Sequence, residues 1–535
     1  MNIVIIGGVA GGMSAAARLR RLDESATITV VERSGHVSFA NCGLPYHVGG
    51  VIEQRSALLL QTPEALRARF DLDVRVLTEA TRIDRERRVV VVRSVETGEE
   101  GELPYDAVIL APGARPVRPP IPGIERALAL RNVEDTDAMV AAVEGARTAV
   151  VIGGGFIGVE MAENLLHRGL AVTLVEATPQ VMAPVDPEMA SPVHAVIRDA
   201  GIDLRLSTSV TAIGEHDVEL STGERVPADL VVAAIGVRPD SALAESAGLE
   251  VGSRGGIVVD DCHRTSDPAI YAVGDAVEKA DALDGSAVLV PLANTANLQG
   301  HRVADHIAGR EVRDRPVLGT AIVGVLGLQV AAVGWNEKRL VAAGRPHRII
   351  HTHPLSHAGY YPGAQGLALK LLVDPGTDAI LGAQAVGRDG ADKRIDVIAT
   401  AMRGGLTASD LAELELAYAP QFGSAKDAVN MLGFVDENLA EGLTDNIQWH
   451  EVEAAQREGA TVLDVRTPGE FAAGDRGPST SRSTRSGSAS TRCPRESPSS
   501  TARWASARTW RPGSCRPPAG PCATSTVATR PGRRE

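Results

Sequence analysis

Short apolar runs that stop abruptly at glycine set the rhythm of the chain up to about residue 310. Asn2-Ile3-Val4-Ile5-Ile6 has the unbroken apolarity of a strand buried on both faces, and Gly7-Gly8-Val9-Ala10-Gly11-Gly12 follows at once. Ser14 to Leu22, rich in Ala, Arg and Leu, predicts a helix, and Thr27–Val31 predicts a second strand closing on Glu32. The succession returns at Thr148–Ile152, with Gly153-Gly154-Gly155-Phe156-Ile157-Gly158, a helix to about His167, and a strand Ala171–Val175 closing on Glu176. Between the copies, a strand over Asp106–Leu110 runs into Ala111-Pro112-Gly113; after the second, Leu230–Ala234 runs into Ile235-Gly236. These paired exits predict a chain that leaves one strand–helix–strand domain for another and then returns. A further apolar run, Ala269–Val273, meets Gly274-Asp275 ahead of a helical stretch over Asn294–Ile307. From Leu318 to Asn438, strand-like runs (Ala321–Gly327, Gln329–Gly334, Leu367–Val373, Ile380–Val386) alternate with helical ones (Arg394–Arg403, Ala408–Ala412), predicting a smaller α+β unit.

Strand, glycine turn, helix, strand and terminal acid is a layout with a chemical use. Glycines let the backbone approach a pyrophosphate at a helix N-terminus, and the acid accepts from a ribose hydroxyl. Gly7, Gly8, Gly11 and Gly12, with Ala10, make the first turn, and Glu32 stands twenty residues beyond Gly12. Val9 occupies the place of the middle glycine. The second turn, through Gly153, Gly155 and Gly158, fits G-x-G-x-x-G completely. Glu176 would accept from a 2′-hydroxyl and repel a 2′-phosphate, and Ala177-Thr178-Pro179-Gln180 brings no Arg beside it. NADH is therefore expected over NADPH at the second turn, with FAD at the first. Structural strand-to-helix turns would account for the glycines but not for an acid closing both second strands. Asp275 either caps its own helix mouth or serves the flavin's ribityl chain.

Composition narrows the setting. The net charge of −13 conceals a split: Asp475–Glu535 holds 12 Arg, no Lys and 3 acidic residues, a net of +9, against −22 for 1–474. Three of the five cysteines (Cys493, Cys515, Cys522) lie in that tail, leaving Cys42 and Cys262 in the body. Two are too few for a disulfide framework and point to a reducing, cytoplasmic compartment. No secretory leader and no membrane-spanning stretch is visible, so no membrane partner is expected, and no metal site either.

Cys42 lies in Ser38-Phe39-Ala40-Asn41-Cys42-Gly43-Leu44-Pro45-Tyr46, just beyond the strand that closes on Glu32. A buried small hydrophobe is the ordinary fate of a free cysteine, but this setting favours a redox thiol. Position five beyond it, where disulfide reductases of the glutathione-reductase type have a partner cysteine, is His47. An active Cys42 must then cycle through a mixed disulfide, a persulfide or a sulfenic acid.

Over about residues 1–440 the chain resembles the pyridine-nucleotide-disulfide oxidoreductases with a single active-site cysteine. Within them it is most similar to the coenzyme A-disulfide reductases fused to a rhodanese domain. The resemblance is carried by Ser38-Phe39-Ala40-Asn41-Cys42, by Gly43-Leu44-Pro45-Tyr46, and by the order first turn, cysteine motif, second turn, Gly274-Asp275. Even the turn with Val9 looks like that family's own variant. It implies an α/β fold with two Rossmann-like nucleotide-binding domains: FAD on 1–112 and 240–317, and NAD(P)H on 113–239. A dimerisation domain on 318–440 would follow. Glu32 and Arg33 would serve the FAD. Cys42 would be the nucleophile, with Ser38 and Asn41 beside the substrate. Ser14, Arg18 and Arg21 on the first helix, with His301 and Lys426, would contact coenzyme A, whose phosphates suit cations. Tyr360 and Tyr418, two of only 6 tyrosines, match tyrosines that reach the cysteine from the partner subunit of a homodimer, although packing is the ordinary reading of such residues. Hydride would pass from NADH to FAD and electrons on to sulfur. The Cys42 thiolate, its pKa lowered by helix dipoles, would attack a coenzyme A disulfide, and polysulfide or coenzyme A persulfide could use the same geometry. Gln421-Phe422-Gly423 departs from the Pro-Tyr-Ser common in coenzyme A reductases and keeps an NADH oxidase open as the alternative.

Trp449 to Gly474 begins like a rhodanese domain, with a strand expected over Ala460–Arg466, so 446–474 is expected to be a partial, incompletely folded rhodanese-like segment. Beyond Gly474 that character stops. The tail 475–535 has no Leu, Ile, Phe, Tyr or Met and one Val, and is expected to be disordered, the product of a shifted reading frame in a GC-rich gene. Cys493, between Arg492 and Pro494, makes no anion-cradling loop, so no sulfurtransferase activity is expected. Arginine suggests nucleic acid, and with it a redox sensor. With only Trp504 and Trp510 as stacking groups, nucleic acid is not the expected partner.

Overall fold

Alternate residues of the strand Asn2–Ile6 point to opposite faces, and both faces are covered. Ile3 and Ile5 pack with Met13, Ala15 and Leu19 of the helix Ala10–Leu22 and with Val303 of the helix Ala293–Ile307. Val4 and Ile6 pack with Ile83, Val90, Val92 and Leu103, which belong to the antiparallel strands Thr78–Asp84, Val89–Ser94 and Glu100–Pro104. Each aliphatic side chain buried this way contributes about 1.5–3 kcal/mol. The strand is the centre of a parallel five-stranded sheet ordered Ile270–Ala272, Ala107–Leu110, Asn2–Ile6, Thr27–Val31, Asp73–Arg75. Its register sets Ile3 against Ile28 on one side and Ala107 on the other.

A second parallel sheet, ordered Asp203–Arg205, Ala171–Val175, Thr148–Ile152, Leu230–Ala233, repeats the plan. It too carries three antiparallel strands, Val210–Ile213, Asp217–Leu220 and Arg225–Pro227, packed on Val150 and Ile152. The two expected exits run side by side: Ala114–Pro116 pairs antiparallel with Val237–Pro239, and the Asp240 N–H donates to the Gly113 carbonyl at 3.0 Å. The computed structural model describes residues 1–312, 315–464, 502–505 and 526–529. They fall into two compact units, Met1–Gly334 and Trp335–Glu535.

In the second unit, Arg348–Thr352, Leu367–Val373 and Ile380–Gly387 are antiparallel, with helices Ala391–Gly404 and Ala428–Ala440. Two buried cations each meet a carboxylate, as burial of charge requires: Lys370 with Glu337 at 2.5 Å and Arg394 with Asp427 at 3.0 Å. The helix expected over Ala408–Ala412 is instead a 3-10 turn, Ser409–Glu413. It presses so closely on the helix Ala428–Ala440 that a Cβ on Gly433 would lie 2.3 Å from the Ala412 nitrogen.

Farther on, Asp445–Ile447, a helix Val452–Arg457 and Thr461–Asp464 follow. Ala502–Ala505 pairs parallel with Asp445–Ile447, and Thr526–Thr529 antiparallel with Thr461–Asp464. These two four-residue strands are the described part of the 475–535 tail, which was expected to be disordered. The rest of 475–535, and 465–474 of the expected rhodanese-like segment, lie outside the described residues. Among the described residues no helix is long and apolar enough to cross a membrane.

Candidate active site

Both glycine turns are dictated by close backbone approach. Gly7 has φ +106, and a Cβ there would sit 2.1 Å from the Ala111 carbonyl oxygen; one on Gly12 would sit 1.9 Å from that of Gly7. The second turn repeats this, with Gly153 (φ +104) 2.4 Å from the Ala234 oxygen and Gly158 1.8 Å from that of Gly153. A side chain on Gly8 or Gly11 would strike Val37 or Val273, and Ala10 opens the first helix. Gly155 differs: nothing lies within 4 Å of its Cβ position, which leaves open space at the N-terminus of the helix Phe156–His167. Val9, in the matching place of the first turn, has φ −117 and packs with Phe39, Leu44, Leu58 and Val133. The irregular fingerprint thus has a packing reason: Val9 supports the loop that carries Cys42.

The two acids are held alike. Glu32 accepts from the N–H groups of Gly8 and Ser34, both at 2.8 Å; Glu176 accepts from Gly154 at 2.7 Å and Thr178 at 2.8 Å. Each carboxylate is fixed beside its own turn with lone pairs left over for ribose hydroxyls. Arg33 is exposed, 3.8 Å from Glu79. Asp275 follows Gly274 (φ +83), and its buried Oδ1 has no hydrogen-bond partner. Burial pushes its carboxyl pKa up, against the pull of Lys279. Lys279, itself lowered to about 8 by burial, donates to the Val290 carbonyl at 2.5 Å. An orphaned buried acceptor beside a glycine turn and a ribose acid is a donor set that fits FAD.

Ser38 has φ 49, unusual outside glycine, and its N–H donates to the Gly8 carbonyl at 2.8 Å, tying the cysteine loop to the first turn. Asn41–Gly43 is a single 3-10 turn leading into a short helix, Leu44–Val48. Phe39 and Leu44 are anchored in the core, while Asn41 and Cys42 stay exposed. Cys42 and Cys262 are free thiols. A lowered Cys42 pKa was expected from the flavin and helix dipoles together; the chain's own groups act in the other direction. Solvent reaches the residue, but desolvation around its sulfur, then the carboxyls of Glu160 and Asp275, push the thiol up. The charges this chain brings to the sulfur are acids, not cations.

Glu160 was not among the expected site residues. It lies on the helix Phe156–His167, behind the second turn, and accepts from the Tyr46 hydroxyl at 3.0 Å. Burial pushes the Glu160 carboxyl up, and burial with the Glu160 charge raises Tyr46 well above the ordinary phenol. No local signal set it apart, since the same helix also carries Glu163, Asn164 and His167.

Four of the residues expected to meet coenzyme A, Ser14, Arg18, Arg21 and His301, lie on two helices in close contact. A Cβ on Gly300 would be 2.2 Å from the Gly11 carbonyl oxygen, and Ser14 Oγ donates to Asn297 Oδ1 at 2.7 Å. Arg18 donates to Asp305 at 2.8 Å, His301 lies 3.5 Å from the same carboxylate, and Arg21 stacks 5.6 Å over Phe70.

Tyr360, Tyr418 and Lys426 belong to the second unit. The two tyrosine hydroxyls are 2.8 Å apart, and the residues are 76% and 48% exposed, so packing within one chain does not explain them. Their hydrogen bond raises the Tyr360 pKa. Lys426 Nζ lies 5.4 Å from the Phe434 ring. Two residues the sequence did not nominate stitch these loops together. Arg394 donates to the Ser356 carbonyl at 2.7 Å and to Asp427, which caps the helix Ala428–Ala440, and the Ala358 N–H donates to the Gly423 carbonyl at 2.9 Å.

Residues 1–300 match the family profile for the pyridine nucleotide-disulphide oxidoreductases, and 320–429 match that family's dimerisation domain. The coenzyme A disulfide reductase of Staphylococcus haemolyticus is 34% identical over 441 residues, 82% of this chain and 100% of that protein. The solved structure of reduced Bacillus anthracis CoADR-RHD matches with TM-score 0.87 at 48% identity, over 89% of this chain and 86% of that one. An NAD-dependent persulfide reductase from A. fulgidus matches with TM-score 0.82 at 39% identity, over 84% of this chain and 85% of that one.

Proposed function

The chain belongs to the pyridine nucleotide-disulphide oxidoreductases, and from that membership we propose that it uses NADH to reduce coenzyme A disulfide or coenzyme A persulfide through Cys42 alone. The observation that carries this reading is an exposed thiol with no second cysteine in its motif, held to the FAD turn through the Ser38–Gly8 bond. The Arg18 guanidinium and the His301 ring add to it, on helices that touch that turn. Bound FAD supplies hydride acceptance from NADH and delivery of the electron pair to sulfur. Cys42 as thiolate attacks the disulfide: its sulfur bonds one coenzyme A sulfur, the S–S bond breaks, and the other coenzyme A departs as thiolate. An electron pair then cleaves the mixed disulfide, Cys42 returns as thiolate, and the second coenzyme A leaves with a proton. Tyr360 and Tyr418 of the partner subunit supply that proton. The proposed division is FAD on 1–112 and 240–317, NADH on 113–239 and dimerisation on 318–440, in a cytoplasmic homodimer.

Anaerobic NADH oxidation with coenzyme A disulfide, coenzyme A persulfide and polysulfide in parallel tests the proposal. Turnover with either coenzyme A substrate is the expected result. Oxidation that requires O₂ and ignores all three would make the protein an NADH oxidase instead.

A further inference from the structure

Asp305 has no part in the chemistry above, yet two of the residues expected to contact coenzyme A, Arg18 and His301, converge on it. Its Oδ1 accepts from Arg18 Nε at 2.8 Å and Nη2 at 2.7 Å. His301 Nε2 lies 3.5 Å from its Oδ2, and Arg310 Nε 3.6 Å from its Oδ1. The carboxylate is 18% exposed and Arg18 24%, while His301 and Arg310 are 54% and 57% exposed. Arg18 comes from the helix Ala10–Leu22, and Asp305 and His301 from the helix Ala293–Ile307. That helix pair is rigid at the Gly11–Gly300 contact and the Ser14–Asn297 bond.

Resting on the coenzyme A reading, we propose that Asp305 is a positioning residue for the substrate's phosphates. Two of the three donor nitrogens of Arg18 are spent on Asp305, which fixes the plane of the guanidinium and leaves Nη1 for a ligand oxygen. A long cation held in place loses less freedom on binding than one that must be ordered by the ligand. Asp305 also offsets part of the repulsion between Arg18 and Arg310, so that the two can stay clustered without an anion present. Its carboxylate repels phosphate directly, but positioning outweighs this, because the charge of Asp305 is already engaged by Arg18.

The test compares coenzyme A disulfide with pantethine, the related disulfide that carries no phosphate, in the full-length holoenzyme. Asp305→Ala is expected to raise KM for coenzyme A disulfide about tenfold while kcat, KM for NADH and KM for pantethine hold. Asp305→Asn keeps an oxygen for Arg18 and is expected to recover most of that loss. Arg18→Ala and the double variant Arg18→Ala/Asp305→Ala should match in KM, because the two residues act as one unit. An unchanged or lower KM in Asp305→Ala, equal losses with pantethine, or additive losses in the double variant overturns the proposal. Wild-type enzyme that neither turns over coenzyme A disulfide nor binds coenzyme A by calorimetry overturns the functional reading along with it. Wild-type activity with an inert Asp305→Ala overturns this inference alone.

Discussion

A thiol proposed to act as a thiolate, with two carboxyls acting on it, is held in check. Desolvation, Glu160 and Asp275 all raise the Cys42 pKa, so the protein without further cations keeps the thiol protonated at neutral pH more than a free cysteine would be. Removing the Glu160 charge relieves one of these. In Glu160→Gln, the pH midpoint for alkylation of Cys42 by iodoacetamide should fall; an unmoved midpoint would mean that the Glu160 charge is not felt at the sulfur. Cys42→Ser is the sharper test of the mechanism. It should keep FAD and accept hydride from NADH, yet lose all turnover of sulfur substrates, and full disulfide reduction by that variant would sink the single-cysteine scheme. Coenzyme choice is proposed to rest on one side chain, Glu176, which is pinned by the Gly154 and Thr178 N–H groups at the second turn. NADH should be preferred over NADPH, with the gap in kcat/KM narrowing in Glu176→Ala. A wild-type preference for NADPH would refute it.

The elements were legible where burial was two-sided and obscure where it was one-sided. Asn2–Ile6, Thr27–Val31, Thr148–Ile152 and Ala171–Val175 are covered on both faces, so their apolar runs are unbroken and their bounds are as expected. The sheet over 78–104 was not anticipated, because a strand such as Thr78–Asp84 buries only Ile83 and has no apolar run to show. The helix Pro187–Asp199 was missed for another reason: Pro192 within it is ordinarily a breaker. The site divides the same way. Its glycines and acids belong to a recurring strand, turn, helix, strand layout that shows in the sequence even though their contacts, such as Gly7 with Ala111, are distant, whereas Glu160 finds Tyr46 across 114 positions with no such motif to reveal it. One element-scale contact makes a pH prediction. Asp436, on the helix Ala428–Ala440, is raised to about 6 by burial and by Asp378, against the pull of Arg348. A folded-state value above the ordinary carboxylate means the native state binds the proton more tightly than the unfolded chain. Its contribution is therefore fully present below about pH 4 and is lost as pH rises through 6. Urea midpoints should show wild type losing ~2 kcal/mol relative to Asp436→Asn between pH 4 and 7. A gap between the two proteins that stays constant with pH would show that the acid pair shares no proton.

At the scale of the whole molecule, the chemistry is split between surfaces that one chain does not need for its own packing. Cys42 is exposed in the first unit, and Tyr360 and Tyr418 are exposed in the second, hydrogen-bonded to each other. Residues 320–429 match a dimerisation domain, and the proposed reading is that two copies each lend the tyrosine pair to the other's cysteine. Each single loss, Tyr360→Phe or Tyr418→Phe, should slow turnover about 10²–10⁴-fold without dissolving the dimer, as loss of a proton donor does. Subunit mixing then separates sites within a chain from sites across chains. If Cys42→Ser dimers are mixed with Tyr360→Phe/Tyr418→Phe dimers and exchanged, half of the dimers become hybrids. In a hybrid built across chains, one site has lost both parts and the other has an intact cysteine facing intact tyrosines. Activity should therefore rise from near zero to about a quarter of the wild-type value, in proportion to exchange. If each chain carries its own complete site, every site in the hybrid lacks something, and mixing the two variants recovers nothing.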